Sequence, residues 1–399
     1  MNHHINKNKL CNIDKVILLM LSLWLLVDML NGLLLRLGSF IQISQLYKAV
    51  LVLIIVLGHL RNKRLVLSVI GFVFYICIWG AIVFYFGANM TASLVLTLKP
   101  VTSIIIYLYF CYLIHTYSPD IIIKKFVSIL KISVLIFSIN ILLGLVGIGY
   151  SSYEGSVNMG YCGFFYSPNE LSGVVAVLFP LTLAYVKINK SNTYYILIVF
   201  FLAFISYLIG TKSPIIICIV STLLITYLYG RTTEKRSVII CCIILSMVII
   251  KYIHIIGDLD VSILQRLVFF IEKNGLADAL LSGRMGFWNE TKSLFYNSNI
   301  ITRLFGLGGG LTVEMDPFDF LLNYGYIGFA GVIILYIWML CKPISRNNVF
   351  KKAVFTSNLL LVFMSIFAGH ILLSSTAGLY IALSNSLLEF KDKGINTKY

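Results

Sequence analysis

Residues 208–215 read LIGTKSPI, with long apolar runs on either side, so Lys212 stands at the tip between two apolar segments. Gly210, Thr211 and Ser213 flank the ammonium, and Pro214 opens the next helix. Backbone donors at a Pro-started helix N-terminus, together with a cation, make an anion site. The competing reading is a long side chain at a helix end reaching for lipid headgroups. The hydroxyls around Lys212 favour the anion site. For Lys99, followed by Pro100, the two readings are balanced, and for Arg36, Lys48 and Lys251 headgroup contact is favoured.

Other polar residues fall at the same depth as Lys212. In GFFYSPNELSG (163–173), Asn169 and Glu170 follow Pro168 at a helix start, where a carboxylate also complements the helix dipole. In FAGHILLSS (367–375), His370 lies within about one turn of a span's end, placed to move a proton or simply to satisfy a local group. Arg284 follows the candidate N-cap Ser282 by two residues, where a cation is mildly unfavourable. A residue set against local preference points to a task such as gripping phosphate or a sugar carboxylate. Residues 304–328 then couple a glycine run to Glu314, Asp316 and Asp319. Those glycines permit close backbone approach to a ligand, or serve a flexible loop. The three carboxylates can orient sugar hydroxyls, act as a base, or only be solvated.

The elements that carry these residues are set by composition. Of 399 residues, 59% are hydrophobic and 12% charged, about half the charged fraction of a water-soluble domain. Apolar runs of roughly 18 residues or more recur, each able to cross a ~30 Å hydrocarbon core. The first run, interrupted by Asp28 and Asn31 and lacking a small-residue cleavage site, reads as a span and not as a signal peptide. The fold class is therefore all-α, a polytopic integral membrane protein in the lipid bilayer. Twelve spans are expected, at 16–36, 44–60, 65–87, 95–115, 126–147, 168–187, 193–210, 214–230, 237–256, 318–341, 353–373 and 375–390. They divide the chain into residues 1–256 with nine spans, a large loop at 257–317, and 318–399 with three spans and a tail. Within the loop, 262–272 could lie in the interface as an amphipathic segment, and 282–298 reads as a helix.

With both termini in the cytoplasm, 21 of the 31 Lys and Arg residues fall on the inner side. This positive-inside bias accounts for most of the +15 net charge and removes the reason to expect nucleic acid. The large loop and the polar cluster then face outward. Eight cysteines show no disulfide framework, with seven in or beside apolar runs and Cys162 in an outer loop. No CxxC, HExxH, Walker or GxGxxG spacing suggests a metal or nucleotide, so no cofactor is expected.

In the segments GFFYSPNELSG, GTKSP, SGRMGFWNE, GLGGG…EMDPFDFLLNYGYIG and AGHILLSS, in this order and on one membrane face, the chain resembles the O-antigen polymerase/ligase superfamily. The resemblance runs from about residue 20 to 390. It implies a fold of the GT-C kind in the bacterial plasma membrane and metal-independent, inverting glycosyl transfer from an undecaprenyl-diphosphate-linked oligosaccharide. Lys212, where that family usually has Arg, and Arg284 would hold the diphosphate. Asn169, Glu170, Lys99 and Asp319 would contact substrate, with the base among His370, Glu314 and Asp316. Ligases of the family often carry a His-Asn pair where this chain has DPFDF at 316–320, so a Wzy-type repeat-unit polymerase is expected. A chain-length regulator would be a further partner. The alternatives are an O-antigen or O-glycan ligase, and a flippase; a flippase calls for mid-membrane charges and two pseudo-symmetric halves.

Overall fold

A computed structural model describes residues 9–39, 41–87, 89–153, 159–165, 168–240, 281 and 284–390. The first span is two helices, α1 (Asn12–Ser22) and α2 (Trp24–Arg36), bent by 50°. Beside the bend, Ser22 Oγ donates to the Leu18 carbonyl at 2.8 Å, a back-bond that bends helices. Then come α3 (Ile43–Gly58), α4 (Lys63–Tyr85), α5 (Met90–Thr116) and α6 (Pro119–Leu145). A short antiparallel hairpin follows, β1 (Tyr150–Tyr153) with β2 (Met159–Gly163). Next are α7 (Pro168–Asn189), α8 (Asn192–Ile209) and α9 (Lys212–Tyr229). After the segment outside the described residues come α10 (Arg284–Tyr296), α11 (Ile300–Phe305), α12 (Asp316–Ser345), α13 (Lys351–Phe367) and α14 (Ser375–Ser386).

Among the described residues, seven helices are long and apolar enough to cross a membrane, or eight if α1 and α2 form one span. The chain is a multi-pass helical membrane protein. α7 is the most enclosed of the seven and packs against α6, α8, α9, α13 and α14. With little hydrophobic drive between helices in lipid, polar contacts tie them together. Asn358 on α13 and Asn385 on α14 exchange side-chain hydrogen bonds at 3.0 and 3.2 Å, and Tyr380 Oη donates to Ser133 Oγ at 2.9 Å. At the opposite end to the candidate residues, Asp14 is fully buried and accepts from Tyr109 (2.8 Å) and Tyr117 (2.6 Å).

Three expectations change. The span placed at 353–373 stops as a helix at Phe367, leaving 368–374 as a non-helical connection that contains His370. The region around Cys162 is a strand, and Cys162 is buried with its Sγ 3.2 Å from Ser152 Oγ. Lys48, expected at the headgroups, is buried in an ion pair with Asp28 at 2.7 Å. The segment 262–272, Ser282, Lys251 and most of 237–256 lie outside the described residues.

Candidate active site at one end of the bundle

α12 begins with two fully buried carboxylates, Asp316 and Asp319. Asp316 Oδ2 accepts from the backbone N–H of Ile371 (3.0 Å) and Leu372 (2.8 Å), clamping the connection that follows α13. Asp319 Oδ1 accepts from Val313 N at 2.5 Å and fixes the loop before α12. The second oxygen of each, Asp316 Oδ1 and Asp319 Oδ2, is buried with no hydrogen-bond partner. Asp319 Oδ2 faces His370 Nδ1 at 3.6 Å, just outside hydrogen-bond range. A carboxylate beside one imidazole nitrogen orients the ring and leaves the other nitrogen to take a proton.

His370 and Glu314 are the two non-glycine residues with positive φ among the described residues, at 55° and 60°. Backbone held in this sparsely populated region costs about 1–3 kcal/mol per residue and clusters at functional sites. The two residues meet through Gly369, whose φ is 67° and where an added Cβ would collide with the Glu314 carbonyl. His370 keeps 26% of its side chain exposed and Glu314 39%, so both reach open space while the aspartates do not. His370 lies in the connection, outside the flanking helices. Burial pushes its pKa below the ordinary imidazole value, against the opposing pull of Glu314 and Glu170, which favours the proton-accepting form at neutral pH.

Arg284, at the start of α10, is buried and reaches the same connection. Its Nη1 donates to the carbonyls of Phe367 (2.7 Å) and Leu281 (3.2 Å), its Nη2 to Ala368 O (3.1 Å), and Nη2 pairs with Glu314 Oε2 at 3.4 Å. The guanidinium fork therefore caps the open carbonyls at the end of α13, where a cation is favoured. Asn169 Nδ2 also donates to Glu314 Oε2, at 3.4 Å, and Glu170 Oε2 accepts from Ser374 Oγ at 2.8 Å. So α7, α10, α12 and the 368–374 connection converge on one point, and they bring together Asn169, Glu170, Arg284, Glu314, Asp316, Asp319 and His370.

Gly306 and Gly308 of the glycine run pack against α12, whereas Gly309 and Gly310 are exposed. α12 breaks at Gly325 (φ 67°, ψ −162°), and the backbone N–H groups of Leu307 and Gly308 fill the freed carbonyls of Leu322 (2.7 Å) and Asn323 (3.3 Å). Asn323, fully buried, completes the lock by donating to Leu311 O (2.7 Å) and accepting from Gly310 N (3.1 Å). Non-helical backbone at membrane depth persists only when satisfied in this way.

Lys212 is the first residue of α9. Its neighbour Thr211 has a buried hydroxyl without a hydrogen-bond partner. The β-hairpin buttresses this tip through a hydrogen bond from Ser152 Oγ to Ile209 O. Lys99 is half-buried, with its ammonium in no hydrogen bond or ion pair among the described residues, and lines a cavity beside Glu170. Sequence reasoning missed Ser374, Asn323, and Asp28 as the partner of Lys48. The ligand atoms of Asp316, Asp319 and His370 lie within 4.8 Å of one another, a spacing that a divalent cation could bridge. No family model, curated protein or solved structure matches the chain.

Proposed function

We propose that this protein is a polysaccharide polymerase that joins lipid-diphosphate-linked oligosaccharide repeat units at the outer face of the bacterial plasma membrane. The observation that carries this reading is the Asp319–His370 pair, with His370 on a strained connection beside Glu314 at one end of a membrane bundle. In the proposed step an acceptor hydroxyl oxygen attacks the donor's anomeric carbon from the face opposite the diphosphate. The bond from that carbon to the diphosphate oxygen breaks, and the lipid diphosphate leaves with the electron pair. The hydroxyl proton passes to His370 Nε2, and Asp319 stabilises the imidazolium. Lys212 with the α9 N-terminus receives the diphosphate, and the unpartnered Thr211 hydroxyl beside it supports that role. Arg284 holds the His370 connection and Glu314 in place. The diphosphate leaving group supplies the driving force, so no nucleotide is needed outside. A ligase of the same chemistry would differ only in its acceptor.

A deletion strain tests the reading. Single repeat units with no long chains on a gel support a polymerase, whereas long lipid-linked chains that fail to reach the surface acceptor overturn it in favour of a ligase. In the same strain, Lys212→Ala is expected to abolish long polymer at normal protein level. Lys212→Arg should keep substantial activity, since guanidinium binds phosphate at least as well. Normal polymer from Lys212→Ala would refute the anion site.

Orientation follows from the charge bias. Reporter fusions at residues 62, 190, 234 and 346 are expected to read cytoplasmic, and those at 155 and 290 outside. A cytoplasmic signal at 290 would place Arg284 in the wrong compartment and sink the proposal.

A further inference from the structure

Beside the Asp319–His370 pair lies a polar cavity of about 640 Å³, within the usual range of small-molecule sites. α2, α3, the start of α7 and the start of α14 enclose it, with Lys99 of α5 on one wall. Its floor is a buried network centred on Asp28. That carboxylate accepts from Lys48 Nζ (2.7 Å), from Thr376 Oγ1 (2.8 Å) and from Ser44 Oγ. Lys48 also donates to Ser375 Oγ (3.1 Å) and lies 4.8 Å from the centre of the Trp24 ring. Asn31 Oδ1 accepts from Ser44 N at 3.1 Å. These groups hold one another in place, so the floor is preorganised.

The upper walls are different. Gln42 and Gln45 are exposed, Ser39 stands beside them, and the Lys99 ammonium has no partner among the described residues. Tyr150 and Phe165 supply aromatic surface. The charged side chains lining the cavity are Asp28, Glu170, Lys48 and Lys99, two of each sign, so it carries no net charge. Amides, hydroxyls, balanced charges and aromatic faces suit a polyhydroxylated, uncharged ligand. The cavity adjoins the reaction centre, because its wall residue Glu170 accepts a hydrogen bond from Ser374 of the connection that bears His370.

A second cavity, of about 510 Å³, lies across the contact between α5 and α14 and is lined by Phe72, Phe320, Ile327 and Leu372. Phe320 follows Asp319, and Leu372 is two residues from His370. The candidate pair thus sits between a polar chamber and an apolar cleft that suits hydrocarbon.

We propose that the polar chamber is the saccharide acceptor subsite, taking the end of an uncharged oligosaccharide and presenting one of its hydroxyls to His370. This rests on the glycosyl-transfer reading above. The test uses the full chain in proteoliposomes with lipid-linked oligosaccharide extracted from the host's membranes, comparing wild type with Gln45→Trp and Gln42→Trp. Both substitutions fill the chamber from exposed positions. Polymer is expected to fall about tenfold or more. Binding of a polyprenyl diphosphate carrying no sugar should stay within about twofold, and thermal unfolding should not move. Undiminished polymer from both variants would overturn the subsite. So would parallel loss of polymer and of diphosphate binding, which would make the chamber the donor's. Wild-type protein that binds the lipid yet makes no polymer would instead overturn the transferase reading, and the subsite with it.

Discussion

Replacing His370 with alanine is expected to lower turnover by about 10²–10⁴-fold at unchanged expression, the range for loss of a positioned acid–base group. Alanine also tolerates the left-handed backbone poorly, so His370→Asn is the sharper probe, because Asn accepts that conformation readily. If both fall equally, the lost proton acceptor is responsible; if only alanine falls, the backbone is. Asp319→Asn should cost about 10²-fold or more, because the amide no longer stabilises a protonated ring. The pH profile gives an independent reading. Burial depresses the His370 pKa, so the neutral, active form should persist through pH 7, with rate lost on the acid side. Glu314 opposes that depression, so Glu314→Gln should move the acid limb to still lower pH. Full-length polymer from His370→Asn would move the base to Glu314 or Asp316.

Arg284→Ala should abolish polymer for a different reason. It strips donors from the carbonyls of Phe367 and Ala368, and an unsatisfied buried group costs about 1–3 kcal/mol. It also releases Glu314, although that pair is too exposed for its loss to weigh much on stability. The expected result is a lowered thermal transition together with lost turnover. Arg284→Lys should recover part of the stability and little of the activity, since one ammonium cannot span carbonyls and carboxylate as a planar fork does. Binding of polyprenyl diphosphate separates the two possible tasks of Arg284. Unchanged affinity in Arg284→Lys fits a strut for the connection, whereas weakened affinity would restore the phosphate grip.

The helices were legible because apolar runs and their caps are local, as where Ser191 caps α8. The gathering of Glu170, Arg284 and His370 at one end followed from span order. The break after Phe367 was hidden, because residues 371–373 (ILL) are as apolar as the helix before them. What ends α13 is remote: Arg284 from α10 and Asp316 from α12 compete for its last carbonyls and the N–H groups that follow. The Asp28–Lys48 pair was equally invisible, since its members lie 20 residues apart on different helices. Glycines at 306–310 signalled unusual backbone correctly; Gly306, Gly308 and Gly310 meet α12, and Gly309 bonds Ser93 of α5.

The broken turn of α12 also imposes an order on biosynthesis. A segment entering lipid by itself at this point would expose the carbonyls of Leu322 and Asn323 to hydrocarbon, where each bare group costs several kcal/mol. The N–H groups that cover them belong to Leu307 and Gly308, which leave the ribosome some fifteen residues earlier. By the time α12 reaches the translocon its cover has already been made, and the two can enter as one folded unit. Had the glycine loop followed α12 in the chain, the helix would have had to wait, uncovered, for residues not yet synthesised. The direction of translation is thus matched to a place where this bundle departs from helical hydrogen bonding within a span.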